Sequence, residues 1–427
     1  MPVAPTYNTL RENLFAIGWA KQSVWDTPVA ATNWWRFLDG TGANPQTNVM
    51  TDREGDTSPY KSFAMKTGEL GKITIVERAR PITMGCAFQA LFGASSDTYV
   101  AATYNSTLAA SCSAGATTVK LTADPDNIGT LSVVIDPTGT TPEVVLLDLT
   151  TRTTPNYTVT IANAGTLLYN HNNSLVVQSK ATHTMKRGLT VYEPYTIEVQ
   201  YGVSGTAPFR AEQYVNAVCT EIQLRHQKGQ PLMLTHTWYS SSVRGKSSFS
   251  SVSYEGNGIP GTFGSPFVWE HAQNAWTING SSVNGLMEAF NLTIKNSTTP
   301  EDLITDGLNP VYFTPELFDV DGQAQYLFTS WDNYYKTYFG NTTAPAATAS
   351  DSYLLGTGSI AGVWTADGVN TLTTTLSNMA YTSATKADPK VSSARAMRQM
   401  ISFSALRTPA FLDPFQIVLT NTQNAAY

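Results

Sequence analysis

The chain has 427 residues, 42% of them hydrophobic and only 14% charged, with a formal net charge of −6. That hydrophobic share supports real cores and excludes a disordered chain, while the length allows two or three domains. No basic run exceeds the pair Lys186-Arg187, so a duplex-gripping surface is excluded as well.

The charged fraction lies well below the ~25% of ordinary soluble domains. Thr, Ser, Asn and Gly fill the gap, a profile that suits β-rich structural proteins. Cys86, Cys112 and Cys219 are too few and too scattered for a disulfide framework, which predicts synthesis in a reducing cytosol. The first thirty residues carry Arg11, Glu12 and Lys21 and no apolar segment, so no signal peptide is expected. No run approaches the ~20 apolar residues of a membrane helix, so the newly made chain is expected to be soluble.

Residues 1–40 read as an irregular arm and a short strand carrying Trp19, Trp25, Trp34 and Trp35. Trp34 and Trp35 face opposite sides of that strand, so both need cover, from this chain or from another subunit. "GKITIVERARP" (71–81) is a strand with Ile73 and Ile75 on one face. "ITMGCAFQALFG" (82–93) changes period: Met84, Ala87, Phe88 and Leu91 recur at helical spacing, and Gly93 stands where a helix ends.

From 97 to 182 the composition shifts to Thr, Ala, Ser, Asn and Val. The strands "TTVKLTA", "LSVVID", "EVVLLDLT", "YTVTIA" and "SLVVQS" are separated by Pro, Gly and Asn turns. Short strands at this spacing predict an inserted all-β module, a small sandwich or barrel. The strand "PYTIEVQYG" (194–202) follows it.

"VCTEIQLRHQKGQPLMLTHTW" (218–238) reads as a long hairpin. Val218, Thr220, Ile222, Leu224, Leu232, Leu234 and Trp238 fall on one face, and Glu221, Gln223, Arg225, Thr235 and Thr237 on the other. A Gly/Ser-rich loop region then leads to a second β-rich half. "MEAFNLTIKN" (287–296) is a strand, and "DGQAQYLFTSWDNYYKTYFG" (321–340) starts extended and ends helical at Gly340. "NTLTTTLSNMAYTS" (370–383) is a strand, and 399–421 reads as another long hairpin with Met400, Ser402 and Ser404 on its polar face. A strand, a helix ending in Phe-Gly, a strand and a long hairpin thus occur twice, which predicts a duplication. In that reading 194–202 matches 370–383, and the 218–238 hairpin matches 399–421.

No zincin helix, Walker loop, nucleophile elbow or CxxC is present. His226 and His236 lie across one hairpin and are expected near each other. Two imidazoles without a carboxylate or thiolate make a poor metal site, since zinc normally takes three protein ligands or more. "DVDG" (319–322) lacks the acids of a calcium loop and reads as a turn. "GIPGTFG" (258–264) and "GTGSIAG" (356–362) do not sit between a strand and a helix as a phosphate loop must. No enzyme, cofactor or metal is expected.

"FAIGWAKQSVWDTPVAATNWWRFLDG" resembles the opening of the tail tube (major tail) proteins of long-tailed bacteriophages (siphoviruses). Gly18, Ala20, Lys21, Thr27 and Pro28 match that pattern, with Asp26 where a glycine is common. "GKITIVERARPITMGCAFQALFG", "HTMKRGLTVYEPYTIEVQYG", "LFDVDGQAQYLFTSWDNYYKTYFG" and "ISFSALRTPAFLDPFQIVLTN" are similar to later segments of the family. The resemblance covers most of the chain outside 97–182. It implies a mainly β fold of tube-type sandwich domains, each with a long hairpin and one short flanking helix. The first would span 1–96 and 183–250, interrupted by a decoration domain at 97–182 of immunoglobulin-like or barrel type, and the second would span 251–427.

The function so implied is a structural virion protein that stacks as rings into the tail tube, the channel for DNA ejection. Trimeric rings of pseudo-sixfold shape are favoured over hexamers. The implied partners are tail tip or baseplate and tail terminator proteins, and the tape measure protein and genomic DNA pass through without sequence-specific binding. The lumen would be lined by Glu221, Gln223, Arg225, Thr235, Thr237, Met400, Ser402, Ser404, Gln416 and Thr420. Trp19, Trp25, Trp34 and Trp35 are the expected subunit contacts. The competing expectation is a β-rich phage surface protein that binds carbohydrate, for which an aromatic content of 11% offers stacking platforms.

Overall fold

A computed structural model describes residues 15–52, 61, 63–93, 97–125, 129–137, 141–154, 157–187, 192–202, 210–252, 254, 266–267, 276–301, 309–340, 356–366, 370–386, 397–407, 413–423 and 427. The chain is mainly β. It opens with β1 (Phe15–Lys21), β2 (Asn33–Trp35), β3 (Gly42–Asp52), β4 (Phe63–Arg78), α1 (Thr83–Phe92) and β5 (Asp97–Val100). Next come β6 (Asn105–Thr107), β7 (Thr118–Lys120), β8 (Thr130–Ile135), β9 (Glu143–Thr153), β10 (Thr158–Ile161) and β11 (Val176–Gln178). β12 (Ala181–Met185), β13 (Tyr195–Tyr201), β14 (Arg210–Gln227), β15 (Met233–Ser240) and β16 (Ser242–Lys246) follow. The rest is β17 (Thr277–Ile278), β18 (Ser281–Ser282), β19 (Met287–Glu301), β20 (Tyr312–Leu327) and α2 (Asp332–Phe339). β21 (Thr357–Ala366), β22 (Asn370–Lys386), β23 (Arg398–Ala405) and β24 (Phe415–Asn421) close the chain.

Period-two alternation sets the layers. In β15, Leu234, His236, Trp238 and Ser240 are buried while Met233, Thr235, Thr237 and Tyr239 are partly open. One buried and one wet face per strand is the signature of a sheet that covers a core on one side only. An inner run of eight antiparallel strands follows the order β3, β4, β15, β14, β19, β20, β23, β22. Outer strands β2, β1, β13, β14 and β16 lie behind its first half, and β17, β21, β22, β24, β12 and β5 behind its second. Aromatic side chains fill the gap: Trp238 of the inner sheet meets Trp35 at 6.0 Å and Tyr195 at 5.6 Å. In the second half Phe290 meets Trp276 at 4.8 Å and Trp364 at 5.8 Å.

β14 and β22 each serve both layers, and both bend at the same place. The register of β14 against β15 slips between Cys219 and Glu221, that of β22 against β23 between Tyr381 and Ser383. A bulge adds local twist and re-aims a strand, so Thr220 and Thr382 mark where each strand leaves one sheet for the other. The pairing order repeats with them. β3–β4, α1, β13, β14, β15 and β16 pair among themselves as β19–β20, α2, β21, β22, β23 and β24 do.

This pairing corrects two expectations. Residues 399–421 are not a hairpin, because β23 and β24 never pair; they flank opposite ends of β22. The topological counterpart of 370–383 is therefore β14, and that of 194–202 is β21. "DVDG" is not a turn but lies inside β20, where Gly322 is needed for a close approach: a Cβ there would stand 2.3 Å from the Phe403 ring. "GIPGTFG" lies outside the described residues. Both helices end as expected, with Gly93 after α1 and Gly340 in the left-handed region (φ 65°) after α2.

Residues 105–178 form a separate six-stranded sheet around their own cluster, including Leu108, Leu121, Val133, Leu147 and Val177. Backbone bonds Ala109 N–H to Lys120 O (2.9 Å) and Thr122 N–H to Thr107 O (3.0 Å) join its first and last strands. Closing a sheet on itself removes its edges. The module is narrower than 97–182, since β5 and β12 pair with each other and extend the main sheet.

Candidate functional site: the polar face of the inner sheet

The wet face of the eight-strand run is a continuous polar surface that the sheet register organises. Its rows follow from the register. One row reads Thr74, Thr237, Glu221, Lys295, Asp319 and the next Val76, Thr235, Gln223, Thr293, Asp321, Ser404. A third reads Arg78, Met233, Arg225, Asn291, Gln323, Ser402, Ser383. A groove of about 850 Å³ runs over the middle of this face, lined among others by Gln223, Arg225, Asn291, Thr293, Asp321 and Gln323.

Several charges on this face are tied to neighbours, and the two signs are interspersed instead of massed. Along β14, Arg225 donates to Gln223 Oε1 (3.1 Å), and Gln223 Nε2 donates to Glu221 Oε1 (2.5 Å). Ser404 Oγ donates to Asp321 (2.5 Å), and Arg398 Nε pairs with Glu288 (2.6 Å), which also accepts from Gln325 Nε2 (3.3 Å). Such a surface presents hydroxyls, amides and compensated charges, without the dense cationic patch that displaces DNA counterions.

Eight expected residues, Glu221, Gln223, Arg225, Thr235, Thr237, Met400, Ser402 and Ser404, fall together on this face. Gln416 and Thr420 do not. They sit in β24, opposite Thr375 and Thr371 of the outer-sheet part of β22. The cause is the mistaken hairpin: β24 returns along the outer layer, away from β23. Lys72, Thr74 and Arg78 of β4, Asn291, Thr293 and Lys295 of β19, and Asp321 and Gln323 of β20 were missed. The alternation in "KITIVER", "FNLTIK" and "DVDGQAQ" marks all of them.

The tryptophans are a second correction. Trp34 and Trp35 are 1% and 0% exposed and Trp19 is buried, so they have no area left to offer a subunit. Trp19 and Trp35 pack with Tyr195, His236 and Trp238, while Trp34 lies against Gly18. Trp25 remains partly open, edge-on to Phe313 at 6.3 Å.

The interior histidines sit against identifiable neighbours. His171 is held by Glu143 at 2.9 Å, and His183 by Asp97 at 2.8 Å. His236 lies opposite Ile222, three rungs from the Arg225–Met233 pair, so it does not meet His226. His226 instead accepts from the Trp364 indole and bonds Gln230 O (3.0 Å). Among the described residues no three His, Cys, Asp or Glu side chains cluster as metal ligands.

Burial pushes the His226 imidazole down to about 4, against the opposing bond to Gln230 O. The folded value lies below the unfolded one, so this histidine's contribution is complete above about pH 6.5 and is lost as pH falls towards 4. A drop of about 2.5 units corresponds to about 3 kcal/mol. Urea unfolding at pH 7.5 and 4.5 should show a loss of that order, smaller in His226→Gln.

No protein-family model matches the chain, and no curated protein matches it in sequence.

Proposed function

We propose that this chain is the ring-forming building block of a bacteriophage tail tube, and that the polar inner face lines the bore. The observation that carries the reading is the junction between the two halves. The inner-sheet part of β14 pairs along its far edge with β19, with Glu221 opposite Lys295 and Gln223 opposite Thr293. Topologically, β22 repeats β14 and β3 repeats β19. Among the described residues, however, the outer edge of β22 at 381–386 and that of β3 carry no partner strand. The two open ends of the run are therefore counterparts of the two strands already paired at its centre.

A long open edge is an aggregation hazard, and head-to-tail pairing of identical chains removes it by forming a ring. The register at the centre transfers directly. Gly42 occupies the place of Asn291, each opposite the β4 or β20 residue (Thr74, Gln323) that faces the inner strand just beyond the bulge. Ser383 would then face Gln46 and Thr385 would face Asn44 of the next copy. Three copies give a barrel of twenty-four strands, three times eight. At about 4.8 Å per strand and a tilt of 35–45°, its backbone diameter is about 45–52 Å. That leaves an open channel wide enough for a DNA duplex once side chains are placed.

Sliding DNA requires a wall that does not grip phosphates, and the compensated charges of the inner face meet that requirement. Electron microscopy of the purified protein at high concentration should show rings or tubes of uniform bore. Particles carrying Gln223→Lys with Thr235→Lys should assemble normally and eject DNA poorly. Normal infectivity in that double variant would remove the bore from this face.

A further inference from the structure

The two helices occupy equivalent places and differ sharply in cover. Every residue of α1 is buried, whereas only Asn333 of α2 is. Part of the cover on α1, at its C-terminal end, comes from the second half of the chain. Asn296 Nδ2 donates to Leu91 O at 3.1 Å, and Phe92 packs against Phe318 (5.8 Å) and Phe415 (6.1 Å). Beyond that point the projecting part of the β19–β20 hairpin continues along the first half. Thr298 bonds the Tyr192 hydroxyl, Phe313 meets Trp25, and the Arg187 guanidinium lies 5.3 Å over Phe318.

On α2 the matching end is aromatic and open. Counting back from the terminal glycines, Tyr338 stands where Leu91 stands in α1, and it is 49% exposed against 0%. Trp331, at the start of the helix, is 39% exposed and stacks on Tyr335 at 6.0 Å. Tyr334 and Tyr338 lie 4.6 Å apart, so these rings form one continuous ledge.

The arm that repeats β19–β20 is β3–β4. Both hairpins carry a bulge at nearly the same rung, between Asn48 and Val49 in one and between Asn296 and Thr298 in the other. Past that bulge β3–β4 exposes Val49 (59%), Met50 (48%), Phe63 (43%) and Met65 (45%). Met50, Met65 and Phe63 share one face of this projecting ribbon and form an apolar surface of the kind that marks an interaction site.

We infer that the β3–β4 arm of a second copy of this chain docks on the α2 ledge, as the β19–β20 arm docks on α1 within one copy. This rests on the ring reading and adds to it a second, apolar contact outside the strand seam. Thioether and aromatic groups suit one another in such contacts, and the seat for the arm is already built once in each chain.

The test mixes two full-length populations in a Cys112→Ser background, one carrying Met50→Cys and the other Tyr338→Cys, with a short bismaleimide added after assembly. A cross-linked pair that forms in assembled material and not in dilute monomer supports the docking. Tyr338→Asp and Met65→Asp, both at exposed positions, should melt as the parent does and should raise the concentration needed for assembly roughly tenfold. Rings that form without the cross-link, and with both aspartate variants assembling as the parent does, overturn the arm contact and leave the strand seam standing. Failure of the parent to form any ring overturns the ring reading, and this contact with it.

Discussion

Proline placed in the open edge of β22 should abolish ring formation while leaving the chain folded. Ala384 and Thr385 are the positions to change, one at a time. Neighbouring residues of a strand direct their N–H and C=O groups to opposite sides. One of the two therefore faces β23 within the chain, and the other faces the proposed seam with the next copy. Proline at the seam-facing position removes a donor and places its ring between the strands, at no internal cost. At the other position it also breaks a bond to β23, so that variant should melt earlier as well.

The size of the effect follows from leaving a buried carbonyl without a partner, about 2 kcal/mol, or roughly 30-fold, at each seam. A closed trimeric ring has three seams, so the deficits compound. Circular dichroism and melting of the monomer, beside electron microscopy of concentrated protein, separate the two variants. Parent-like rings from both would remove β22 from the interface. Rings lost only in the variant that melts early would point to misfolding instead of a seam.

Much of this surface was legible in the sequence because alternation writes burial directly into β-strands. Glu221, Gln223 and Arg225 alternate with Ile222 and Leu224, and no tertiary information is needed to place them on one face. The helix ends at Gly93 and Gly340 were equally local. Strand partnership was not legible. β23 and β24 are close in sequence and look like a hairpin, yet each pairs instead with a different stretch of β22, which precedes both. That choice depends on where β22 bends, and a bulge at Thr382 leaves no composition signal. The same non-local term decided the tryptophans. Trp35 could be assigned to a strand but not to a layer, and only the arrival of β15 over it shows that its cover is internal.

That internal cover sets the second large effect. Trp35→Ala should cost about 3–5 kcal/mol of stability in the unassembled chain, the usual range for emptying a packed aromatic site. The ring is fully buried and touches Trp19 at 5.9 Å, Trp238 at 6.0 Å and His236 at 5.1 Å. Three large rigid neighbours cannot collapse into the space it leaves, which places the loss towards the upper end of the range. Trp35→Phe should cost much less, because it keeps most of the apolar contact. It also removes an indole N–H that has no hydrogen-bond partner among the described residues, a group that is itself a burden when buried. Urea unfolding of the dilute monomer measures both variants. A subunit-contact tryptophan would behave in the opposite way, sparing the monomer and weakening only assembly. A parent-like unfolding midpoint for Trp35→Ala would therefore return this residue to the interface.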